Sequence, residues 1–347
     1  MDEKLMLRFG TVGTSWITQS YIRGAHRTNH WKLTAVYSRD LDRAEKFAEI
    51  QCKERLCKAY SDSLYYFDSI DQMAASDVID AVYIASPNVL HPEQCREFLL
   101  HGKHVICEKP LCTRSQELEQ LQTLAKQRDR IFMEAIMYMH MPQRKLLQQA
   151  IRQIGPISLV KLDYSQRSSK YDQLRAKEIP NVFNPAFNTG ALMDIGIYCV
   201  YPALDLFGLP DRFSATAKFL DTGADGTGLV IMEYPKMLVN LSYSKIGQAI
   251  SGSEFQGDEG TVYVDHIARM GDIREVLHAG RERTLYKQED QVTLMSYEAE
   301  DFYQCIVNPG HMASDYQDFQ RKSLMISKFM ESLREKMGIE FSANDRF

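Results

Sequence analysis

Residues 1–135 alternate short apolar runs with amphipathic stretches of helical period, and no other feature restricts the fold of this chain as tightly. Leu7 to Val12 and Lys32 to Ser38 are strand-like, the second rich in β-branched and aromatic residues. A helix starts near Ser15 after the first. Asp40-Leu41-Asp42 opens another, whose apolar positions Leu41, Ala44, Phe47 and Ala48 keep helical spacing. Val78 to Ser86 predicts a further strand, followed by a helix with Pro92 in its first turn, where proline is tolerated. His104 to Cys107 predicts the next strand. Thr113 and Gln116 then stand three apart as a capping box ahead of a helix over Leu118 to Lys126, and Ile131 to Glu134 closes the series. Such alternation requires right-handed crossovers and a parallel sheet covered on both faces, a doubly wound fold of dinucleotide-binding type.

The second half changes character. A helix over Gln143 to Ile154 presents Leu146, Leu147, Ala150, Ile151 and Ile154 on one face and stops at Gly155-Pro156. Strands are predicted at Ile157–Ser165, Ser214–Leu220, Leu229–Tyr234, Leu238–Ser244 and Thr261–Val264, separated by turn signals such as Asp221 to Gly226 and Gly257-Asp258-Glu259-Gly260. Hairpin-linked strands imply an antiparallel sheet, and a final helix over about Met312 to Met337 ends the pattern. With 347 residues, two domains are expected, 1–135 for a dinucleotide and 136–347 for substrate binding and self-association.

Composition narrows the function classes. A net charge of −5 excludes the basic footprint of a nucleic-acid binder. The seven cysteines, Cys52, Cys57, Cys95, Cys107, Cys112, Cys199 and Cys305, form no CxxC pair and no zinc spacing, so no metal is expected and a reducing compartment fits better than a disulfide framework. Met1-Asp2-Glu3-Lys4 leads straight into a strand rather than a signal segment. The longest weakly charged stretch, Ala191 to Pro210, holds Asp194, Asp205 and Pro202, and its two aspartates make membrane spanning costly. The expectation is a soluble, cytoplasmic protein.

Ligands of a doubly wound sheet bind beyond the carboxyl ends of its strands. The first such loop, Gly10-Thr11-Val12-Gly13-Thr14-Ser15-Trp16-Ile17-Thr18, leads into a helix whose N-terminal N–H groups and dipole suit a pyrophosphate; of the GxGxxG glycines only Gly13 is kept, and an ordinary strand–turn–helix corner has the same form. After the second strand, Tyr37-Ser38-Arg39-Asp40 places a serine and an arginine where a 2′-phosphate is read, favouring NADP over NAD. Alternatively Asp40 caps the next helix and Arg39 points to solvent. The later loops are Ser86-Pro87-Asn88-Val89-Leu90-His91 and Cys107-Glu108-Lys109-Pro110. Lys109 follows a buried strand and precedes a proline, which suits an ammonium aimed at a substrate hydroxyl, and a solvated loop lysine is the plainer reading; His91 can simply cap its helix. In Thr189 to Tyr198, Asp194 and Tyr198 lie four apart on one face of an apolar helix, and Gly196 between them suits a close backbone approach. A capping aspartate beside a half-buried tyrosine is the alternative.

Gly10-x-x-Gly13, Ser86-Pro87-Asn88-x-x-His91, Gly102-Lys103-His104-Val105-x-x-Glu108-Lys109-Pro110 and Gly190-Ala191-Leu192-x-Asp194-x-Gly196-x-Tyr198 occur in that order and span nearly the whole chain. The set resembles the Gfo/Idh/MocA oxidoreductases, within them the branch of dimeric dihydrodiol dehydrogenases and NADP-linked sugar dehydrogenases. Tyr198 stands where many relatives carry histidine, and Ser15 where many carry glycine. The resemblance implies an N-terminal Rossmann domain and a C-terminal α+β domain built on an open, mainly antiparallel sheet whose bare face pairs in a homodimer or higher homo-oligomer. It also implies NAD(P)-dependent hydride transfer at a hydroxyl or carbonyl carbon of a sugar, polyol or dihydrodiol. Tyr198 would accept the hydroxyl proton; a free phenol titrates near 10, so it needs a cation beside it, and Lys109 is the candidate, with Asp194 orienting substrate or lysine. Candidate coenzyme contacts are Gly10, Thr11, Gly13, Thr14, Ser15, Trp16, Ile17, Ser38, Arg39, Ser86, Pro87, Asn88, His91, Glu108 and Lys109. Arg167, Tyr171 and Asn184 are candidates for the substrate pocket. Two other readings stay open, a non-catalytic dinucleotide-binding regulator and an NAD-dependent glycoside hydrolase.

Overall fold

In the computed structural model, which describes residues 5–53, 64–278 and 280–341, the chain divides into two units. The first holds residues up to His140 together with Asp290–Leu324, the second Met141–Glu289 and the residues from Met325 onward. Met1–Lys4 and Cys57 lie outside the described residues.

The first unit winds as β1 (Leu7–Val12), α1 (Trp16–Arg27), β2 (Trp31–Tyr37), α2 (Leu41–Lys53), β3 (Tyr65–Phe67), α3 (Ile70–Ala75), β4 (Ala81–Ile84), α4 (His91–Leu100), β5 (His104–Glu108), α5 (Ser115–Gln127), β6 (Phe132–Ala135) and α6 (Met137–His140). Among the described residues its sheet has six strands in the order β3-β2-β1-β4-β5-β6, every pairing parallel. Strand order therefore reverses between β1 and β4, the switch point where such sheets bind ligands. β4 is buried along its full length and β5 from Val105 to Cys107, which explains their unbroken apolar runs. Three small elements of this unit, β3, α3 and α6, were not foreseen. The capping box at Thr113 is not formed either: the cap position of α5 is Arg114, without a side-chain cap, while Thr113 is buried.

The second unit contains α7 (Gln143–Gln153), β7 (Ile157–Ser165), α8 (Tyr171–Arg175), a π-helical turn at Leu192–Gly196 running into α9 (Ile197–Phe207), and strands β8 (Arg212–Phe219), β9 (Asp225–Tyr234), β10 (Met237–Ser244), β11 (Ser253–Gly257), β12 (Gly260–Val264), β13 (Ile273–Leu277) and β14 (Glu282–Tyr286). Its eight described strands run β14-β13-β12-β11-β7-β10-β9-β8, antiparallel except between β7 and β10. The sheet is thus open and mainly antiparallel as expected, with β11, β13 and β14 added. Pro185–Phe207 is long and apolar enough to cross a membrane by length and composition, but most of it is buried inside this unit. There the fully buried Asp205 carboxylate takes two hydrogen bonds from Arg144 on α7, at 2.6 and 2.8 Å.

The expected single boundary after residue 135 misses a return of the chain. α10 (Gln291–Val307), unforeseen from the sequence, belongs to the first unit, as does α11 (Pro309–Met337) up to Leu324. The Asp290 carboxylate caps α10 by accepting from Val292 N at 2.9 Å and Thr293 N at 3.0 Å. Trp31 Nε1 donates to the Ala299 carbonyl at 2.9 Å while its ring stacks on Phe302, and Tyr303 Oη reaches the Leu5 carbonyl. Gly24 of α1 allows the two helices to touch, since a Cβ there would sit 2.8 Å from the Met295 backbone. Gly24→Ala should therefore lower the unfolding free energy by about 1–3 kcal/mol through overpacking. Urea unfolding followed by circular dichroism measures it, and an unchanged midpoint would contradict this helix contact.

Candidate functional site

At the carboxyl end of β1, Gly13 takes φ +107°, and a Cβ on it would lie 2.6 Å from the Ala85 carbonyl oxygen after β4. Only glycine lets the turn pass that close. Ser15 is extended ahead of α1 with no side-chain cap, its hydroxyl 3.3 Å from that of Thr18, so the first-turn N–H groups face outward uncapped. Trp16 is exposed, and Ile17 half-buried. Gly10 and Thr11 are interior instead. Gly10 lies within β1, where Met73, Ile79 and Ala35 fill the space a Cβ would need, and Thr11 is fully buried with its hydroxyl unpartnered. Both belong to packing rather than to coenzyme contact.

At the end of β2, Asp40 Oδ1 accepts from Arg43 N at 3.3 Å and so caps α2, while Ser38 Oγ accepts from Asp40 N at 3.4 Å. Arg39 is exposed. Arg43, which sequence reasoning missed, donates from Nε to Thr14 Oγ1 at 2.9 Å, bringing a second guanidinium back to the glycine turn. Its signal was present: an arginine one turn into the helix that follows the serine–arginine pair.

The loops after β4 and β5 are tied together by His91, which is fully buried with Nδ1 2.9 Å from the Pro110 carbonyl and Nε2 2.9 Å from the Ser86 carbonyl. Burial lowers its pKa, with the two carbonyls opposing. It bridges two loops, and is neither a helix cap nor placed to touch a coenzyme. Ser86 Oγ donates to Gln94 Oε1 at 2.6 Å, and Pro87 leads into a single 3₁₀ turn at Asn88–Leu90. Glu108 receives the Tyr83 hydroxyl at 2.6 Å on Oε1 and the Lys109 N–H at 3.3 Å on Oε2; Tyr83 itself stacks on Tyr21 at 3.9 Å. Its carboxylate thereby shapes the backbone on which half-buried Lys109 stands. Glu134 holds the same loop from β6, accepting from Leu111 N at 3.2 Å and Ser323 Oγ at 2.6 Å. Glu298 on α10 is buried with both carboxyl oxygens unpartnered, and burial, then nearby Glu108, pushes its pKa well up.

In the second unit, Asp194 and Tyr198 are both half-buried and stand four apart across the junction of π turn and α9. Single π turns are often found at functional sites. The helix start is held by Asp225, whose Oδ2 accepts from Leu192 N at 2.7 Å, and whose Oδ1 occupies the space a side chain at Gly190 would fill. Gly196 has the close approach expected of it, with the Tyr243 ring 3.1 Å from where its Cβ would lie. Asp194 Oδ2 accepts from Lys245 Nζ at 2.5 Å, a lysine that sequence reasoning passed over. The Tyr198 ring meets Tyr164 edge-on at 5.6 Å, and Tyr164 meets His266 at 4.8 Å. A pocket at this end of β7 is lined by Tyr164, Gln166, Gln248, Asp265, His266 and Arg269 among others. Arg167 Nη2 donates to Asp172 Oδ1 at the surface with its guanidinium over the Tyr171 ring, Asn184 Oδ1 accepts from Ala186 N, and none of these three residues lines that pocket. Among the described residues no group of three or more His, Cys, Asp or Glu side chains is set to hold a metal ion.

The family model described as the oxidoreductase family, NAD-binding Rossmann fold, matches residues 7–136, and that of the GFO/IDH/MocA C-terminal domain matches residues 145–263. The scyllo-inositol 2-dehydrogenase (NADP(+)) IolU of Bacillus subtilis is 39% identical over 339 residues, 98% of this chain and 99% of that one. The chain belongs to the Gfo/Idh/MocA oxidoreductase family. Human trans-1,2-dihydrobenzene-1,2-diol dehydrogenase is a more distant relative, 25% identical over 355 residues, 99% of this chain and 100% of that one. In fold, this Gfo/Idh/MocA member resembles KijD10, a 3-ketoreductase from Actinomadura kijaniata solved with NADP and TDP-benzene, with a TM-score of 0.80 at 21% identity over 96% of this chain and 98% of that one. As a member of the family the protein is an NAD(P)-dependent dehydrogenase acting on CH–OH groups.

Asp225 makes the second unit sensitive to pH. Burial raises its pKa from 3.8 to about 6, partly offset by the Leu192 N–H and by Lys245. The folded state therefore holds this proton more tightly than the unfolded chain, and stability from this group, full below pH 4, is lost as pH rises toward 6, by ~3 kcal/mol. Asp225→Asn should remove that part of the slope in urea unfolding measured at pH 4, 5, 6 and 7. Parallel slopes in the two proteins would contradict it.

Proposed function

We propose that the protein interconverts a secondary hydroxyl and a ketone on a polyol ring, with NADP preferred over NAD. The observation that carries this reading is Lys109, set after a buried strand and seated on a Glu108 carboxylate fixed by Tyr83; the 39% identity with an NADP-linked inositol dehydrogenase points the same way.

The chain's residues fit a dinucleotide. Gly13 lets the turn after β1 pack tightly against the Ala85 carbonyl, and the uncapped start of α1 offers N–H groups and a positive dipole end to a pyrophosphate. Thr14, Ser15, Trp16 and Ile17 form that turn and the start of α1, while Pro87 and Asn88 follow β4 and Glu108 ends β5 at the same carboxyl edge of the parallel sheet. Asp40 spends its carboxylate on capping α2, while Arg39 and Arg43 supply two positive charges beside Ser38, the balance that suits a 2′-phosphate. When bound, the nicotinamide supplies the hydride acceptor or donor. Lys109 binds the substrate oxygen and stabilises its developing charge, Tyr198 takes or returns the hydroxyl proton, and Asp194 accepts a substrate hydroxyl. Proton transfer by a positioned group contributes roughly 10² to 10⁴ in rate.

Lys109→Ala and Tyr198→Phe should each cut kcat about a hundredfold or more at 340 nm with scyllo-inositol and NADP, with NADP affinity held within about twofold. Near-normal turnover in either variant would end the assignment.

A homodimer is part of the same reading. Leu229 and Ile231 on β9 and Leu238 on β10 are 49%, 44% and 47% exposed, while Val230, Met232 and Val239 alternate with them into the core. An apolar sheet face of this kind calls for a partner, and a second copy of this chain offers the matching one. Sedimentation should give a dimer for the native protein and a lighter species for Ile231→Lys; a native monomer at 100 μM would refute the pairing. The buried free thiols of Cys95, Cys107, Cys112, Cys199 and Cys305 suit a reducing cytoplasm.

A further inference from the structure

Lys245 stands one residue beyond β10 and is 3% exposed. Its Nζ lies 2.5 Å from Asp194 Oδ2, 3.4 Å from the Val182 carbonyl and 5.1 Å from the centre of the Phe183 ring. Its backbone N–H donates to the Gly226 carbonyl at 2.9 Å, next to the Asp225 that caps the π turn. One lysine thus joins the turn carrying Asp194, the segment at Val182–Phe183 and the start of β9. An ammonium withdrawn from water needs compensating charge, and here one carbonyl, one ring face and the Asp194 carboxylate surround it, with Asp225 the other acid nearby.

The burial of the pair is lopsided. The Arg144–Asp205 bridge in the same unit is buried on both sides, with side chains 12% and 0% exposed, as a tie between core elements should be. In Lys245–Asp194 the lysine side chain is 4% exposed and the aspartate 36%. The lysine is thus sealed from water behind an acid that is itself partly exposed, and its Nζ fixes the position of the Asp194 Oδ2 oxygen.

We infer that Lys245 is a positioning residue that holds Asp194 ionised and in one orientation, so that Asp194 serves as a hydrogen-bond acceptor for a substrate hydroxyl and not as a proton donor. The inference rests on the reading of Asp194 as a substrate-facing group. Lys245 itself touches neither substrate nor coenzyme in this scheme, and acts wholly through Asp194.

That dependence is testable by a double-mutant cycle on the full chain, with scyllo-inositol and NADP followed at 340 nm from pH 5 to 10. Lys245→Met should raise KM for the polyol about tenfold or more, the scale of a hydrogen bond to a charged group, and move the acid limb of kcat/KM upward, since Asp194 without its cation protonates more readily. NADP binding, read by fluorescence titration, should stay within about twofold, and Lys245→Arg, which keeps the charge, should recover most of the loss. Asp194→Asn and Asp194→Asn/Lys245→Met should be kinetically alike, and the double variant, which leaves no lone buried charge, keeps the test decisive if Lys245→Met alone does not fold. Losses that add in the double variant, or a Lys245→Met enzyme with native KM and pH profile, would overturn the inference while leaving Asp194 in place. Native activity in Asp194→Asn would overturn the underlying reading of Asp194, and with it this one.

Discussion

Charge carried into an apolar interior must meet a partner there, and this requirement orders the functional parts of both units. Glu108 is met by Tyr83 and by the backbone of Lys109, Glu134 by Leu111 and Ser323, Asp205 by Arg144, Asp225 by Leu192 and Asp194 by Lys245. Each pairing pins a loop or a helix start whose conformation the local sequence leaves open. Glu298 departs from this pattern, for neither of its buried carboxyl oxygens has a hydrogen-bond partner and its pKa is pushed well up by burial.

In the first unit these pairings converge on one short loop. Glu108, Glu134 and His91 grip Lys109-Pro110-Leu111 from three elements, through a carboxylate ahead of the lysine, a carboxylate on the next strand and an imidazole from the helix after β4. A lysine on such a support loses little further freedom on engaging a substrate oxygen, the economy that preorganised sites exploit. In the second unit the same economy appears at the π turn, where Asp225 fixes the backbone and Lys245 fixes the side chain of Asp194.

Much of this was legible beforehand. Period-two and period-3.6 patterns located β1, β2, β4 to β6 and most of the second sheet, because burial on one or two faces imposes those periods directly. The serine–arginine pair, Lys109, Asp194, Gly196 and Tyr198 were singled out as residues of unusual type for their place. The failures share a cause. α10 has its helix cap at Asp290 but a polar Glu298 on its buried face, β13 buries Glu275 beside Ile273 while exposing Val276, and β14 is mostly exposed, so none shows a clean apolar period. Gly10 and Thr11 looked like turn residues because they adjoin Gly13, yet the neighbour that claims Gly10 is Met73, on a different helix. Lys245 carries the same local signature as Lys109, a lysine directly after a buried strand, and only a contact with Asp194 sets it apart.

The sequence by itself determined the class of each half, the position of the glycine turn and the residue types available for hydride-transfer chemistry, since these follow from interactions within a few residues along the chain. Only the tertiary structure decided which polar groups pair. Asp225 meets Leu192 across 33 residues and Lys245 meets Asp194 across 51, and no local period encodes a partner at that separation. Loop closure over such spans depends on the register of β9 and β10 within the folded sheet, which is set by the whole strand order and by no single segment.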